Sequence, residues 1–361
     1  MGNTENKDKK VVLSGIRATG NLHLGNYYGA LNKFVRMQDD YDCRFFIADL
    51  HALTTHPDPK MLHENVKDII AEYLAAGLDP EKNVLYVQSD VPEISEMYLL
   101  MNMHVGIGEL MRTASFKDKA RKALGLKNPA NEEDDNIERD IIGNQTNQRV
   151  NAGLLTYPTL MAVDILIHHA DFVPVGKDQE QHLELTRRFA RRFNSFYGVD
   201  YFGEPVNFNF GGQAIKVPGL DCSGKMGKSE GNCIYLIDDE KTLRKKVMRA
   251  VTDQGPQEPN SPVTEPIANL FTLMDLVSTP DTVQHFRDAY ADCSIRYGDM
   301  KKQLAEDILK VTLPIRERIL EIRGDDEYLG RVMRDGAERA RETAAKTLAD
   351  VRDIMGIRRF Y

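Results

Sequence analysis

The sequence predicts an α/β fold with a parallel sheet, followed by an all-helical segment, on three observations. Short continuous apolar runs alternate with amphipathic helical stripes through the first part of the chain, the pattern of strands covered by helices on both faces. After about residue 240 the strand signals stop and only helical stripes continue. The length of 361 residues exceeds what one hydrophobic core usually serves, so one large domain and one smaller one are expected.

In chain order, Val11-Val12-Leu13 is the first apolar run, ended by Ser14-Gly15 and followed by a helical pattern from Leu24 through Val35. Phe45-Phe46-Ile47-Ala48 is a second buried-strand candidate. Leu62, Val66, Ile69, Ile70, Tyr73 and Leu74 form a helical stripe closed by Gly77. Val84 to Val87 is a third strand, Thr156 to Ala170 an apolar helix, Phe172 to Val175 a fourth strand and Glu180 to Phe193 a further helix. From Lys117 to Asp140, thirteen of 24 residues are charged, and Gly125, Asn128 and Pro129 interrupt any helix. A solvated insertion without a core role is expected there. Leu304, Ile308, Leu309, Val311, Leu313 and Ile315, then Ala337, Ala340, Ala344, Leu348 and Val351, are the stripes of a helical bundle. Ligands of parallel sheets sit beyond the carboxyl ends of the strands, which directs attention to the turns after Leu13, Ala48 and Val175.

Composition narrows the class. Apolar residues at 42% and charged residues at 28% describe an ordinary globular chain. The most apolar stretch, Leu154 to Val175, carries Asp164, His168, His169 and Asp171, so no membrane span is expected. Met1 to Lys10 has no apolar centre, and a cytoplasmic protein without a signal peptide is expected. Cys43, Cys222, Cys233 and Cys293 lie too far apart for a zinc ribbon and are read as reduced thiols. A net charge of −8 argues against a surface that wraps nucleic acid, while leaving room for local basic patches.

Two segments carry chemistry. Ser14-Gly15-Ile16-Arg17-Ala18-Thr19-Gly20-Asn21-Leu22-His23-Leu24-Gly25-Asn26 turns from a strand into a helix. Helix N-termini offer unpaired N–H groups and a positive dipole end to phosphate. His23 and Asn26 share a helix face and could bracket one anion. A tight turn with a polar cap would read the same way. Asp221 to Asn232 holds Lys225 and Lys228 in a glycine-rich loop, which suits charge neutralisation on a polyphosphate. A solvated surface loop would favour the same residues.

Together, His-Leu-Gly-Asn at 23–26 and Lys-Met-Gly-Lys-Ser at 225–229 resemble the paired “HIGH” and “KMSKS” signatures of class I aminoacyl-tRNA synthetases. Ala48 to Thr54, Tyr157 to Leu166 and Pro174 to Leu185 are similar to segments of the tryptophanyl family within that class. The resemblance runs from Val12 to Gly356 and is weakest in the charged insertion.

The resemblance implies a Rossmann-like catalytic domain, residues 1–238, with the insertion near 117–150. It implies a helical tRNA-binding domain after that, residues 239–361, its last helix able to return to the catalytic domain. The implied activity is ATP-dependent attachment of L-tryptophan to tRNA(Trp) through a tryptophanyl-adenylate. A tyrosine-specific sister enzyme, or an amino-acid-sensing or RNA-binding paralogue without catalysis, are the other readings. His23, Asn26, Lys225, Lys228 and Ser229 match the family's catalytic positions. Arg17, Ala18, Thr19, Gly25, Gly176, Lys177, Asp178, Ile215, Met226 and Gly227 join them at the implied ATP site. Leu13, His51, Tyr157, Met161, Asp164, Val173 and Gln179 match the tryptophan pocket, with Asp164 accepting the indole N–H. Pairing of Asp164 with His168 at i+4 is the structural alternative. Gly227 stands where the family usually has Ser, so altered loop kinetics without loss of chemistry are expected. Mg²⁺ should arrive mainly on ATP oxygens. Zinc is not expected, and with only Cys293 in the C-terminal region neither is an iron–sulfur cluster. A homodimer is implied. Arg187, Arg188, Arg191 and Arg192 are either a solvated face or a tRNA patch, and Lys241, Arg244, Lys245, Lys246 and Arg249 form a second basic group.

Overall fold

The computed structural model describes residues 9–126, 137, 150–176, 179–208, 215–358 and 360. Five parallel strands, β1 (Val11–Arg17), β2 (Asp42–Ala48), β3 (Val84–Val87), β4 (Phe172–Val173) and β5 (Val206–Asn207), lie in the order β3-β2-β1-β4-β5. The expected α/β class and parallel sheet are thus present. β1 is central and pairs with β2 in step from Val11 opposite Asp42 to Arg17 opposite Ala48. Strand β1 runs four residues past Leu13, through the Ser14-Gly15 pair that reads as a turn in the sequence. Gly15 is there for close packing: a Cβ would collide with the Phe46 ring of β2.

The helix expected from Leu24 to Val35 is broken in register. It comprises α1 (Leu24–Asn26), a π segment Tyr27–Leu31 and α2 (Asn32–Met37). Such π stretches concentrate at functional sites. Then come α3 (Asp49–Ala52), α4 (Pro59–Ala75), α5 (Pro92–Asn102) and α6 (Ile107–Met111). The charged stretch opens as α7 (Ala114–Leu124), N-capped by Thr113 and closed by Gly125 at φ 70°. Phe116 and Ala120 pack with Ile137 and Leu154 in a small apolar cluster, and Arg121 of the same helix is buried as well. The expected absence of a core role is therefore corrected for this helix. Residues 127–136 and 138–149 lie outside the described residues. Helix α8 (Ala152–Leu166) starts where Asn151 Oδ1 accepts from the Leu154 N–H at 2.9 Å, and α9 (Glu180–Tyr197) follows β4.

Beyond β5 the described elements are helical apart from short turns: α10 (Glu240–Met248), α11 (Glu265–Val277), α12 (Pro280–Ala291), α13 (Tyr297–Arg323) and α14 (Asp326–Ile354). These helices do not close a core of their own. One buried cluster joins Val12, Phe45, Ile47 and Leu85 of the sheet to α4 and to Leu243, Ile267, Leu304 and Ile308. The other joins Leu13, Phe46 and Tyr86 to α5, α8, α9 and to Ala340, Ala344, Leu348 and Val351 of α14. The small side chains of α14 let it lie against β3, where a Cβ on Gly336 would collide with the Leu85 carbonyl. A buried polar node crosses this contact: Arg44 donates to Thr343 Oγ1 at 2.6 Å, and His168 Nε2 lies 3.0 Å from the Tyr86 hydroxyl. Among the described residues no helix is long and apolar enough to cross a membrane.

Candidate functional site

A cavity of about 380 Å³ opens at the carboxyl end of the sheet. Its walls include Leu13, Gly15 and Arg17 of β1, Phe46 and Ala48 of β2, His51, Tyr157, Met161, Asp164, Val173 and Gln179. The seven residues expected at the amino-acid pocket therefore share one cavity. The position follows from topology, since β1 and β4 are neighbours in the sheet and the cavity is lined by β1 residues from Leu13 to Arg17 and by Val173 to Gly176 at and beyond the end of β4.

At the inner wall sits Asp164, 1% exposed. Gln88 Nε2 donates to its two oxygens at 2.7 and 2.9 Å, and His51 Nε2 lies 3.1 Å away. Burial pushes its pKa up, and the bonds from His51 and Gln88 pull it back. A carboxylate kept in an apolar cavity with lone pairs to spare is a receptor for one more N–H. The i+4 alternative is corrected: His168 turns from Asp164 to Tyr86, Arg44 and Thr343. Gln88 gives no signal in the sequence beyond being the polar residue that ends a buried strand.

Over the cavity mouth, Lys119 of α7 places its ammonium 3.6 Å from the Tyr157 ring centre. Burial, then the charge of Arg17, pushes this lysine down to about 8. The sequence does not single it out, because one lysine in a run of charges carries no mark. Tyr157 is held in turn by a 2.9 Å bond between its hydroxyl and His182 Nε2.

Beyond Arg17 the chain turns through Ala18-Thr19-Gly20 to His23, which caps α1. His23 Nδ1 accepts from the Asn26 N–H at 3.3 Å, and Asn26 Oδ1 accepts from the His23 N–H at 3.1 Å. This reciprocal cap fixes both side chains. Gly25 is required by the His23 ring, which would lie 2.8 Å from a Cβ at that position. Burial, followed by the charges of Lys228 and Lys225, pushes His23 down to about 4, so the ring is neutral near pH 7.

The second loop folds over the same turn. Met226 N–H donates to Val217 O at 2.9 Å, and Gly227 N–H to Asn232 Oδ1 at 3.0 Å. Asn232 also donates to Asp221 Oδ1 at 2.9 Å, so one buried amide ties both ends of the loop. Lys228 Nζ donates to Gly20 O, while Lys225 stands exposed. The Gly227 backbone is extended at φ −146°, so a serine there strains no backbone angle, although its Cβ would press on Glu230 Cγ at 3.3 Å. Cys222 and Cys233 beside this loop are both free thiols. Met226 is buried against the turn; Ile215 and Gly176 are exposed nearby in sequence to the loop and to β4. Lys177, Asp178 and the Ser229 side chain lie outside the described residues.

The arrangement provides an apolar cavity with one buried acceptor, joined through Arg17 to a turn that bears a histidine neutral near pH 7 and is covered by a loop with two lysines. It can hold a flat apolar group with one N–H donor beside a polyphosphate.

The sequence model of the family described as “tRNA synthetases class I (W and Y)” matches residues 5–312. A Tryptophan--tRNA ligase of Porphyromonas gingivalis is 60% identical over 349 residues, 97% of this chain and 100% of its own length. One of Fusobacterium nucleatum is 39% identical, over 96% of this chain and 97% of its own. Among solved structures, the tryptophanyl-tRNA synthetase of Campylobacter jejuni complexed with ADP and tryptophan superposes with a TM-score of 0.81 at 32% identity. That match covers 96% of this chain and 99% of the other.

Proposed function

The chain belongs to the class I tRNA synthetases of the tryptophan and tyrosine group, and from that premise we propose how its site works as a tryptophan--tRNA ligase. Tryptophan is activated with ATP and passed to tRNA(Trp). The observation that carries the specificity is Asp164, buried at the cavity wall and fixed by Gln88 and His51. An indole fills the apolar walls of Leu13, Met161 and Val173 and gives its one N–H to this carboxylate, while Tyr157 and Gln179 hold the ammonium. A tyrosine-specific reading is disfavoured by the full-length relatives, which carry the tryptophan name.

The substrate carboxylate attacks the α-phosphorus, the bond to the bridging oxygen breaks, and pyrophosphate leaves. His23, Asn26, Lys225, Lys228 and Ser229 neutralise the charge that gathers on the phosphates, and catalysis is positioning plus electrostatics. Arg17, Ala18, Thr19, Gly25, Gly176, Lys177, Asp178, Ile215, Met226 and Gly227 complete the ATP site. Mg²⁺ comes as part of the MgATP substrate, held mainly on the phosphate oxygens. The terminal ribose 2′-hydroxyl of the tRNA then attacks the acyl carbon and AMP leaves.

Residues 1–238 make the catalytic domain and 239–361 the tRNA-binding one. Arg187, Arg188, Arg191 and Arg192 are engaged by Glu184, Glu109 and Glu204, and Arg244 by Glu240 and Glu306. Lys241, Lys245 and Arg249 are exposed with no ion pair among the described residues, and are the better phosphate contacts. The working form is a cytoplasmic homodimer. An apolar patch of Leu99, Met103, Ile107 and Phe196, between 57% and 71% exposed, supports a second copy as its cover; His104 links it, its ring 5.3 Å from that of Phe196. Tryptophan-dependent ATP–pyrophosphate exchange tests the activity. Exchange with tryptophan and none with tyrosine is expected; exchange with tyrosine alone would overturn the reading.

A further inference from the structure

Helix α4 turns two polar side chains toward the turn that leads into His23. Asn65 and Glu72 are seven residues apart and so lie two turns along one face. Asn65 Nδ2 donates to Ala18 O at 3.3 Å. Glu72 is fully buried, its Oε2 accepting from the Leu22 N–H at 2.8 Å and its Oε1 from Asn21 Nδ2 at 3.2 Å. Between these grips is Gly20, at φ +95°, a conformation that side chains rarely adopt, and its carbonyl receives the Lys228 ammonium. Three consecutive residues are therefore held by one buried acid and one loop lysine. The apolar stripe of α4 explains its other buried residues but not this one. A buried carboxylate costs folding free energy, and neutral groups could hold a turn more cheaply. Burial pushes Glu72 up to about 8, while the Leu22 N–H, Asn21 and the charge of Lys228 pull it down. The neighbouring acid on α4, Asp68, is occupied by Arg323 of α13.

We propose that Glu72 is a positioning residue of the phosphate site: it fixes the 20–22 turn and, in its ionised form, seats the Lys228 ammonium on the Gly20 carbonyl. The 224–231 loop is thereby docked before ATP arrives, and ATP meets a preorganised lysine. A kinetic consequence rests on the proposed activity; the docking itself does not.

The test is hydrogen exchange of the loop amides 224–231 in the full-length protein without ligand, at a pH above 8 where the Glu72 carboxylate is ionised. Glu72→Gln keeps both hydrogen bonds, because the Asn21 amide can flip to face it, and removes only the charge. In this variant the loop amides exchange about tenfold faster. Lys228→Ala has the same effect, and the double variant is no faster than either single one. No acceleration in Glu72→Gln, or a further full acceleration in the Lys228→Ala background, overturns the proposal. If Glu72→Gln does not fold, the wild-type loop amides are read above and below pH 8 after correction for intrinsic exchange rates, and protection that does not fall as Glu72 takes up its proton overturns the proposal. In pyrophosphate exchange, Glu72→Gln raises the KM for ATP and leaves the KM for tryptophan within about twofold. A purely structural role would raise both together, which also overturns it. A wild-type protein without exchange activity would refute the functional reading and leave the amide test to decide this one.

Discussion

The proposed amino-acid cavity and the proposed phosphate site are neighbours on β1 but are held in opposite ways. In the cavity, Asp164 on α8 is fixed by Gln88 from the end of β3 and by His51 from α3, Asp164 and Gln88 being buried and His51 half-buried. At the phosphate site, Lys225 is exposed and Lys228 rests on one backbone carbonyl, in a loop tied mainly through Asn232. Rigid polar atoms in an apolar enclosure discriminate between ligands, whereas cations on an adaptable loop follow charge as it moves. Selection should therefore depend on the first region and rate on the second.

The largest effect is expected from Lys228→Ala. Loss of a preorganised charge partner lowers the rate of adenylate formation on the order of 10²-fold, with the tryptophan dissociation constant nearly unchanged. Pre-steady-state pyrophosphate release measures the first and equilibrium binding the second. Equal losses in both would erase the contrast between the regions.

Asp164→Ala should show the reverse pattern. An indole N–H left unpaired in a buried site costs about 1–3 kcal/mol, so tryptophan affinity falls roughly 5- to 150-fold while ATP affinity holds. An unchanged KM for tryptophan in the exchange assay would remove Asp164 from the pocket.

A smaller and selective loss is expected when Lys241, Lys245 and Arg249 are reversed to Glu. Aminoacylation weakens by roughly tenfold and its salt dependence flattens, whereas pyrophosphate exchange, which needs no RNA, is unaffected. Loss of exchange as well would mean that α10 supports the fold or the loop.

The smallest effect concerns His23. Its folded pKa of about 4 lies below the ordinary 6.5, so the unfolded chain takes up this proton first as pH falls. Stability from this group is full above pH 6.5 and is lost as pH drops toward 4. Thermal melts of His23→Gln, compared with the wild type, should lack that part of the acid slope. An identical slope would mean that the ring is not buried as described.

The same contrast explains what the sequence disclosed. Strand β3 was legible residue for residue because its four residues are apolar and buried on both faces. Strand β5 was not, since two half-polar residues at the sheet edge leave no periodic trace. Helix α7 was obscured because its buried residues are two apolar ones, Phe116 and Ala120, and one charged one, Arg121, among other charges. The cavity residues came from a family resemblance, since Leu13 or Met161 look like plain core by composition. Gln88, Lys119 and Glu72 carry no motif, and their roles arise from the elements brought to them: α8 to Gln88, Tyr157 to Lys119, and the Gly20 turn to Glu72.

Because the chain contains no tryptophan, the indole emission of the ligand can be read directly when it binds. The most direct test is a fluorescence titration of wild type and Asp164→Ala with tryptophan and with 1-methyl-tryptophan, which lacks the indole N–H. Tight, saturable binding of tryptophan to the wild type, far weaker binding of the methylated ligand, and loss of most of that discrimination in Asp164→Ala are expected. Equal affinity of the wild type for both ligands would contradict it.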